Sequence, residues 1–203
     1  MKRRDFVAGC VASAGVAAVP APYARAAADH SPVRLALFDT RYPAAVAFSG
    51  TFNRRGVALA PFAGDVTAVW YEQLDPVWRR EPISVAGMTT PATLFCLEQL
   101  GWDHGLRVTF RGTHDPAPGG GVAHVFEVAQ HRPQHLLRSF SEERPWGVQV
   151  ADHMASIRKP APAFPSEPEA RSACQLRTPA SRYDPGTRLV SWLIAPKGPL
   201  KSA

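Results

Sequence analysis

Hydrophobic and polar residues follow two periods along this chain. Short apolar runs at 33–38, 57–62, 83–88 and 106–113 have strand length. Helical patterns lie between them. Residues 43–55 put Ala44, Ala47, Phe48 and Phe52 on one face, and Gly56 stands where such a helix stops. Asp65 opens a short helix over 66–73, and 76–82, bounded by two prolines, reads as a connection. The clearest helix spans 91–104. Thr90 suits its N-cap, Pro91 its first turn and Gly105 its end. This alternation predicts an α/β fold: a single three-layer domain with a short, mostly parallel sheet and right-handed crossovers. The outline is Rossmann-like without the glycine fingerprint, because Asp39-Thr40-Arg41-Tyr42-Pro43 follows the first strand.

The second half is less regular and predicts an antiparallel extension. Residues 122–129 form a strand that pairs back on the fourth across the glycine-rich loop 114–121. Trp146, Val150 and Met154, spaced by four, mark a helix within 144–157. Residues 159–187 hold six prolines and read as an extended surface segment, with a turn at Asp184-Pro185-Gly186. A final strand at 189–195 is expected at a sheet edge or in a side sheet. The expected organisation is a leader at 1–26, an α/β domain at 27–158, and a proline-rich segment with the last strand, 159–203, packed on that domain.

The leader has its own pattern. Lys2, Arg3 and Arg4 precede a weakly apolar stretch diluted by Gly9, Ser13 and Gly15, and Ala24-Arg25-Ala26 fits a small-x-small cleavage site. Lys2-Arg3-Arg4-Asp5-Phe6-Val7 resembles the bacterial twin-arginine (Tat) export signal, Ser/Thr-Arg-Arg-x-Phe-Leu-Lys, and departs from it at Lys2, Val7 and Ala8. The resemblance covers the leader alone. It implies periplasmic localisation, recognition by the Tat machinery, and export of a folded protein that often carries a cofactor or travels with a partner.

Composition changes the picture in three places. First, 203 residues, 45% of them hydrophobic, can form one domain with a real core. No apolar run of membrane-spanning length lies beyond the leader. Second, Lys2, Arg3, Arg4 and Arg25 against Asp5 supply half of the formal charge of +6. The remaining chain is nearly balanced, so no nucleic-acid partner is expected. Third, loss of Cys10 with the leader leaves Cys96 and Cys174. In an oxidising compartment these either form one disulfide or stay apart, with Cys96 buried in its helix.

Candidate chemistry gathers at the strand ends. In an open α/β sheet, ligands bind beyond the carboxyl ends of the parallel strands. Asp39, Thr40, Arg41 and Tyr42, then Asp65, then Gly87, Thr89 and Thr90 each stand between a strand and a helix. Together they offer carboxylates, hydroxyls, a guanidinium and helix N-termini to a small polar ligand. Helix capping alone would explain Asp39 or Thr40, Asp65 and Thr90, but not Arg41 or Thr89. Trp78, Arg79 and Arg80 have the composition of an interface hot spot, or of a core-edge tryptophan beside solvated arginines.

No metal site is expected. His131 and His135 are set against Pro133, while His114 and His124 flank the glycine loop and can approach each other across a hairpin. No nucleophile elbow, phosphate loop, CxxC or haem motif is present, and no cofactor is named by the sequence. The expected function is therefore a non-catalytic accessory protein that binds a small polar ligand or a periplasmic redox protein. The alternative is a hydrolase or oxidoreductase at the same strand ends, with Asp39 or Asp65 as base and Thr89-Thr90 holding an anion.

Overall fold

The computed structural model describes residues 33–129, 140, 144–157, 171–179 and 186–196. The leader, Cys10, His131, His135 and most of the proline-rich stretch lie outside the described residues. Seven strands form one sheet in the order β2-β1-β3-β7-β4-β5-β6. The strands are β1 (Val33–Asp39), β2 (Ala58–Phe62), β3 (Ser84–Thr89), β4 (Leu106–Pro116), β5 (Val122–Ala129), β6 (Arg171–Thr178) and β7 (Leu189–Pro196).

The expectation of α/β architecture stands, but the pairing is mostly antiparallel. Among the described residues, only β1–β2 and β1–β3 pair in parallel; β3–β7, β7–β4, β4–β5 and β5–β6 are antiparallel. The correction comes from β7. Expected at an edge, it is inserted between β3 and β4 and buried over almost its whole length. Since β7 is antiparallel to both, β4 still runs in the direction of β3, as a strand–helix–strand crossover requires, but it does not touch it. The edge belongs instead to β6, a strand cut from the stretch expected to be extended coil.

Helices cover both faces. On one face lie α1 (Pro43–Arg54) and α4 (Trp146–Ser156). They bury Phe48, Phe52, Trp146, Val150 and Met154 on Ala36, Phe38, Met88, Phe110, Phe126 and Leu193. On the other face lie α2 and α3 (Pro91–Trp102). Helix α2 is a continuous run of Thr67–Val69, a π turn at Trp70–Leu74, and Asp75–Arg80. This side is built on Leu35, Leu37, Trp70, Leu74, Trp78, Leu97, Trp192 and Ile194.

Pro76 was expected to end α2, yet the helix runs through it. A proline removes one N–H bond and its ring crowds the carbonyl four residues back; the wider π turn immediately before it relieves both. The loop expected over 76–82 is therefore largely helical.

Candidate functional site

The chain order places a topological switch point at one position on the sheet edge. From β1 it passes through α1 to β2 on one side, and from β2 through α2 to β3 on the other. The helices lie on opposite faces, so the loops after β1 and β3 diverge at their carboxyl ends. Asp39 lies one residue beyond the Phe38–Met88 pairing and opposite Phe62 of β2. Thr89 ends β3 on the neighbouring strand.

At this switch point Asp39 and Arg41 form a fork. Asp39 is fully buried. Its Oδ1 accepts from the Arg41 backbone N–H at 3.1 Å and from Nε at 3.0 Å, and its Oδ2 accepts from Nη2 at 2.7 Å. Burial works to raise the Asp39 carboxyl pKa. The Arg41 side chain and backbone bonds, the Arg41 charge and the Gly64 N–H outweigh it and hold the carboxyl below its ordinary value. The Arg41 side chain is 49% exposed, and Nη1 takes no part in the fork. Its guanidinium carbon lies 5.3 Å from the Tyr42 ring centre. On the other side Gly64, at φ +83°, leaves room that a side chain would take: a Cβ there would stand 2.9 Å from the guanidinium carbon.

The remaining polar groups at this edge already have partners. The Thr40 hydroxyl donates to the Phe62 carbonyl at 3.1 Å. Asp65 accepts from the Thr67 N–H at 2.8 Å, at the start of α2. Thr90 caps α3 by accepting from the Thr93 N–H. Thr89 accepts from the Trp192 indole N–H at 3.0 Å and donates to the Thr90 carbonyl. Gly87 is spoken for as well, since any Cβ there would overlap the Trp192 ring. Neither Asp39 nor Thr40 caps α1, whose N-cap is Tyr42 with no side-chain bond. The structure thus brings Asp39, Arg41 and Tyr42 together. Asp65, Gly87, Thr89 and Thr90 each make a contact within the fold.

Of the two readings of Trp78, Arg79 and Arg80, the structure fits the tryptophan packed in the core beside solvated arginines, not an exposed hot-spot tryptophan. Trp78 is buried in α2 at 2% exposure and donates to the Ile83 carbonyl at 3.2 Å. Arg79 is exposed and pairs with Asp75 one turn back at 2.8 Å, and Arg80 is exposed beside it. Of the two alternatives for the cysteines, the structure shows them apart: Cys96 is exposed on α3, Cys174 is buried on β6, and no disulfide joins them. The expectation that Cys96 is buried fails. The outer face of α3 holds Phe95, Cys96 and Trp102 exposed, while Leu94 and Leu97 point inward.

One constellation was only glimpsed in the sequence. The β4–β5 hairpin sets His114 opposite His124, with their Nδ1 atoms 2.8 Å apart. His114 Nε2 meets the Ser191 hydroxyl at 2.9 Å, and His124 Nε2 meets the Thr178 hydroxyl at 3.0 Å. All four residues are buried, on the face covered by α1 and α4, against Trp146, Phe126 and Phe140. Ser191 and Thr178 carried no signal, because they come from strands that the sequence could not place beside the hairpin. Among the described residues no group of three or more His, Cys, Asp or Glu side chains is arranged to hold a metal ion. No helix of the described residues is long and apolar enough to cross a membrane. Compared with models of known protein families, with curated proteins and with solved structures, the chain gives no match.

Proposed function

We propose that this chain is exported through the twin-arginine route and acts in the periplasm as a non-catalytic binding protein. It serves either as a receptor for a small anionic ligand or as an accessory that grips a carboxylate on a periplasmic redox protein. The observation that carries this reading is the Asp39–Arg41 fork. A guanidinium clamped from one side, half exposed on the other and seated at a switch point is preorganised to bind an anion. The same fork speaks against Asp39 as a general base, because its carboxylate oxygens are occupied by the cation it would have to release.

Native mass spectrometry of the processed protein, purified from a periplasmic extract, tests this. The expected result is an added mass that Arg41→Ala loses, together with a rise in Tm on adding succinate or inorganic phosphate that is absent from the variant. A bare protein whose Tm neither anion moves would overturn the reading.

A second reading, the hydrolase, is favoured by one observation. Ser191, His114 and His124 have the hydrogen-bond order of a nucleophile, a base and the group that orients it. All three are sealed from solvent, and Ser191 lies inside the central strand β7. A fluorophosphonate probe decides between the two: labelling of Ser191 supports the hydrolase, and an unlabelled chain supports the binding protein.

A further inference from the structure

Building on the anion-binding reading of the Asp39–Arg41 fork, we propose that its ligand is a single carboxylate, held in the plane of the guanidinium by the edge that Asp39 leaves free. Gly64 is the residue that keeps this edge in place.

An arginine side chain carries five N–H donors in one plane, in a fixed fork. Nε–H and one Nη2–H lie parallel on the inner edge, and Asp39 takes both. Nε stands 3.0 and 3.2 Å from the two carboxylate oxygens, and Nη2 stands 2.7 Å from Oδ2. The second Nη2–H and the Nη1–H facing it lie parallel on the outer edge. Among the described residues neither has a partner. The inner edge meets a fully buried carboxylate, so the 49% exposure of the Arg41 side chain lies away from it. Two parallel N–H groups fit the two oxygens of one carboxylate.

Three contacts fix where this edge points. Asp39 holds the inner edge and is itself held by the backbone N–H groups of Arg41 and Gly64. The Tyr42 ring centre lies 5.3 Å from the guanidinium carbon. The Gly64 backbone lies close against the guanidinium. A Cβ there would stand 2.9 Å from its carbon and from Nη1, and 3.3 Å from Nη2. Any side chain at position 64 would push the outer edge aside, and the φ of +83° disfavours one a second time.

Charge and shape then select among oxyanions. Asp39 already balances Arg41, so a second carboxylate leaves one net negative charge around the guanidinium. Helix α1 starts two residues on, without a side-chain cap, and its partial positive charge reduces that excess. Attraction to this residual field grows in proportion to the ligand's charge, whereas the cost of removing its water grows with the square. A monoanion is therefore favoured over a dianion such as sulfate. A tetrahedral anion also brings oxygens outside the guanidinium plane that need further donors. The nearby hydroxyls of Thr40 and Thr89 already donate to the Phe62 and Thr90 carbonyls.

The test follows the guanidinium itself in the full-length chain. Nitrogen-15 spectra of the arginine side chains, at low temperature and about pH 6, report on Arg41, and Arg41→Ala identifies its signals. Acetate should shift the Arg41 Nη signals saturably and bind at least about fivefold more tightly than sulfate at matched ionic strength. Arg41→Lys keeps the charge but has no paired edge, and should lose that preference. Gly64→Ala should weaken acetate binding and move the Arg41 signals of the free protein. If Gly64→Ala does not fold, the order of the anions and Arg41→Lys still decide. Trialanine and its C-terminal amide separate two sources of the carboxylate. Trialanine binding more tightly than acetate, with the amide inactive, supports a carboxylate on a polypeptide end; acetate binding the more tightly supports a small molecule. Sulfate binding as tightly as acetate, or Arg41→Lys retaining the preference, overturns the proposal and leaves the anion-binding reading standing. No shift of Arg41 with either anion overturns both.

Discussion

Gly87 and Trp192 illustrate how single residues are constrained here. The indole occupies the space a Cβ on the glycine would need, so that no side chain fits there, and its N–H is committed to Thr89. Gly87→Ala should destabilise the fold by about 1–3 kcal/mol, the range for overpacking a tight core, with an earlier midpoint in urea. Asp39 is constrained by charge. Its carboxyl pKa is held below the unfolded value, so its contribution to stability is complete above about pH 3.9 and is lost as pH falls through the lower folded value. Asp39→Asn should remove that acid-dependent part, and urea midpoints measured from pH 5 down to 2 would show it as a flatter curve. At this scale the sequence spoke unevenly. Thr90 was legible as a cap because capping is local. Thr89 was not, because its partner lies 103 positions away.

Among the elements, α4 is the one held most narrowly. Its second residue, Gly147, meets the Ala44 carbonyl so closely that a Cβ would collide with it. Gly147→Ala should therefore push α4 away from α1. The expected cost is about 1–3 kcal/mol, read by thermal unfolding, with faster amide exchange in 146–156 than in the parent protein. The helix itself was legible from the four-residue spacing of Trp146, Val150 and Met154, all of which are buried. The end of α2 was not. A proline normally breaks a helix, and the π turn that lets this one continue has no sequence signature.

For the whole molecule the decisive piece is β7. The last strand among the described residues is the fourth of their seven in the sheet, and it joins the α/β half to the antiparallel half. A chain truncated after residue 185 should lack cooperative unfolding, because removing β7 exposes Leu189, Trp192, Leu193 and Ile194 and separates β3 from β4. Far-ultraviolet circular dichroism with a thermal melt would show this as a broad, shallow transition. A sharp melt near that of the parent would mean that β1–β3 and their helices fold alone. The same central placement makes the fold depend on contacts far apart in sequence, which slows folding.

The sequence by itself determined the strands of the first half, helices α1 and α3, the capping of α3 and the reach of His114 toward His124, because each follows from local periodicity, turn chemistry or a short hairpin. Only the tertiary structure decided where β7 enters, that Trp78 faces inward, that Asp39 clamps Arg41 rather than capping α1, and that Ser191 and Thr178 close the histidine chain. A strand's apolar run states that it is buried but not between which neighbours, and a polar side chain's partner is chosen by the sheet register that brings distant strands together.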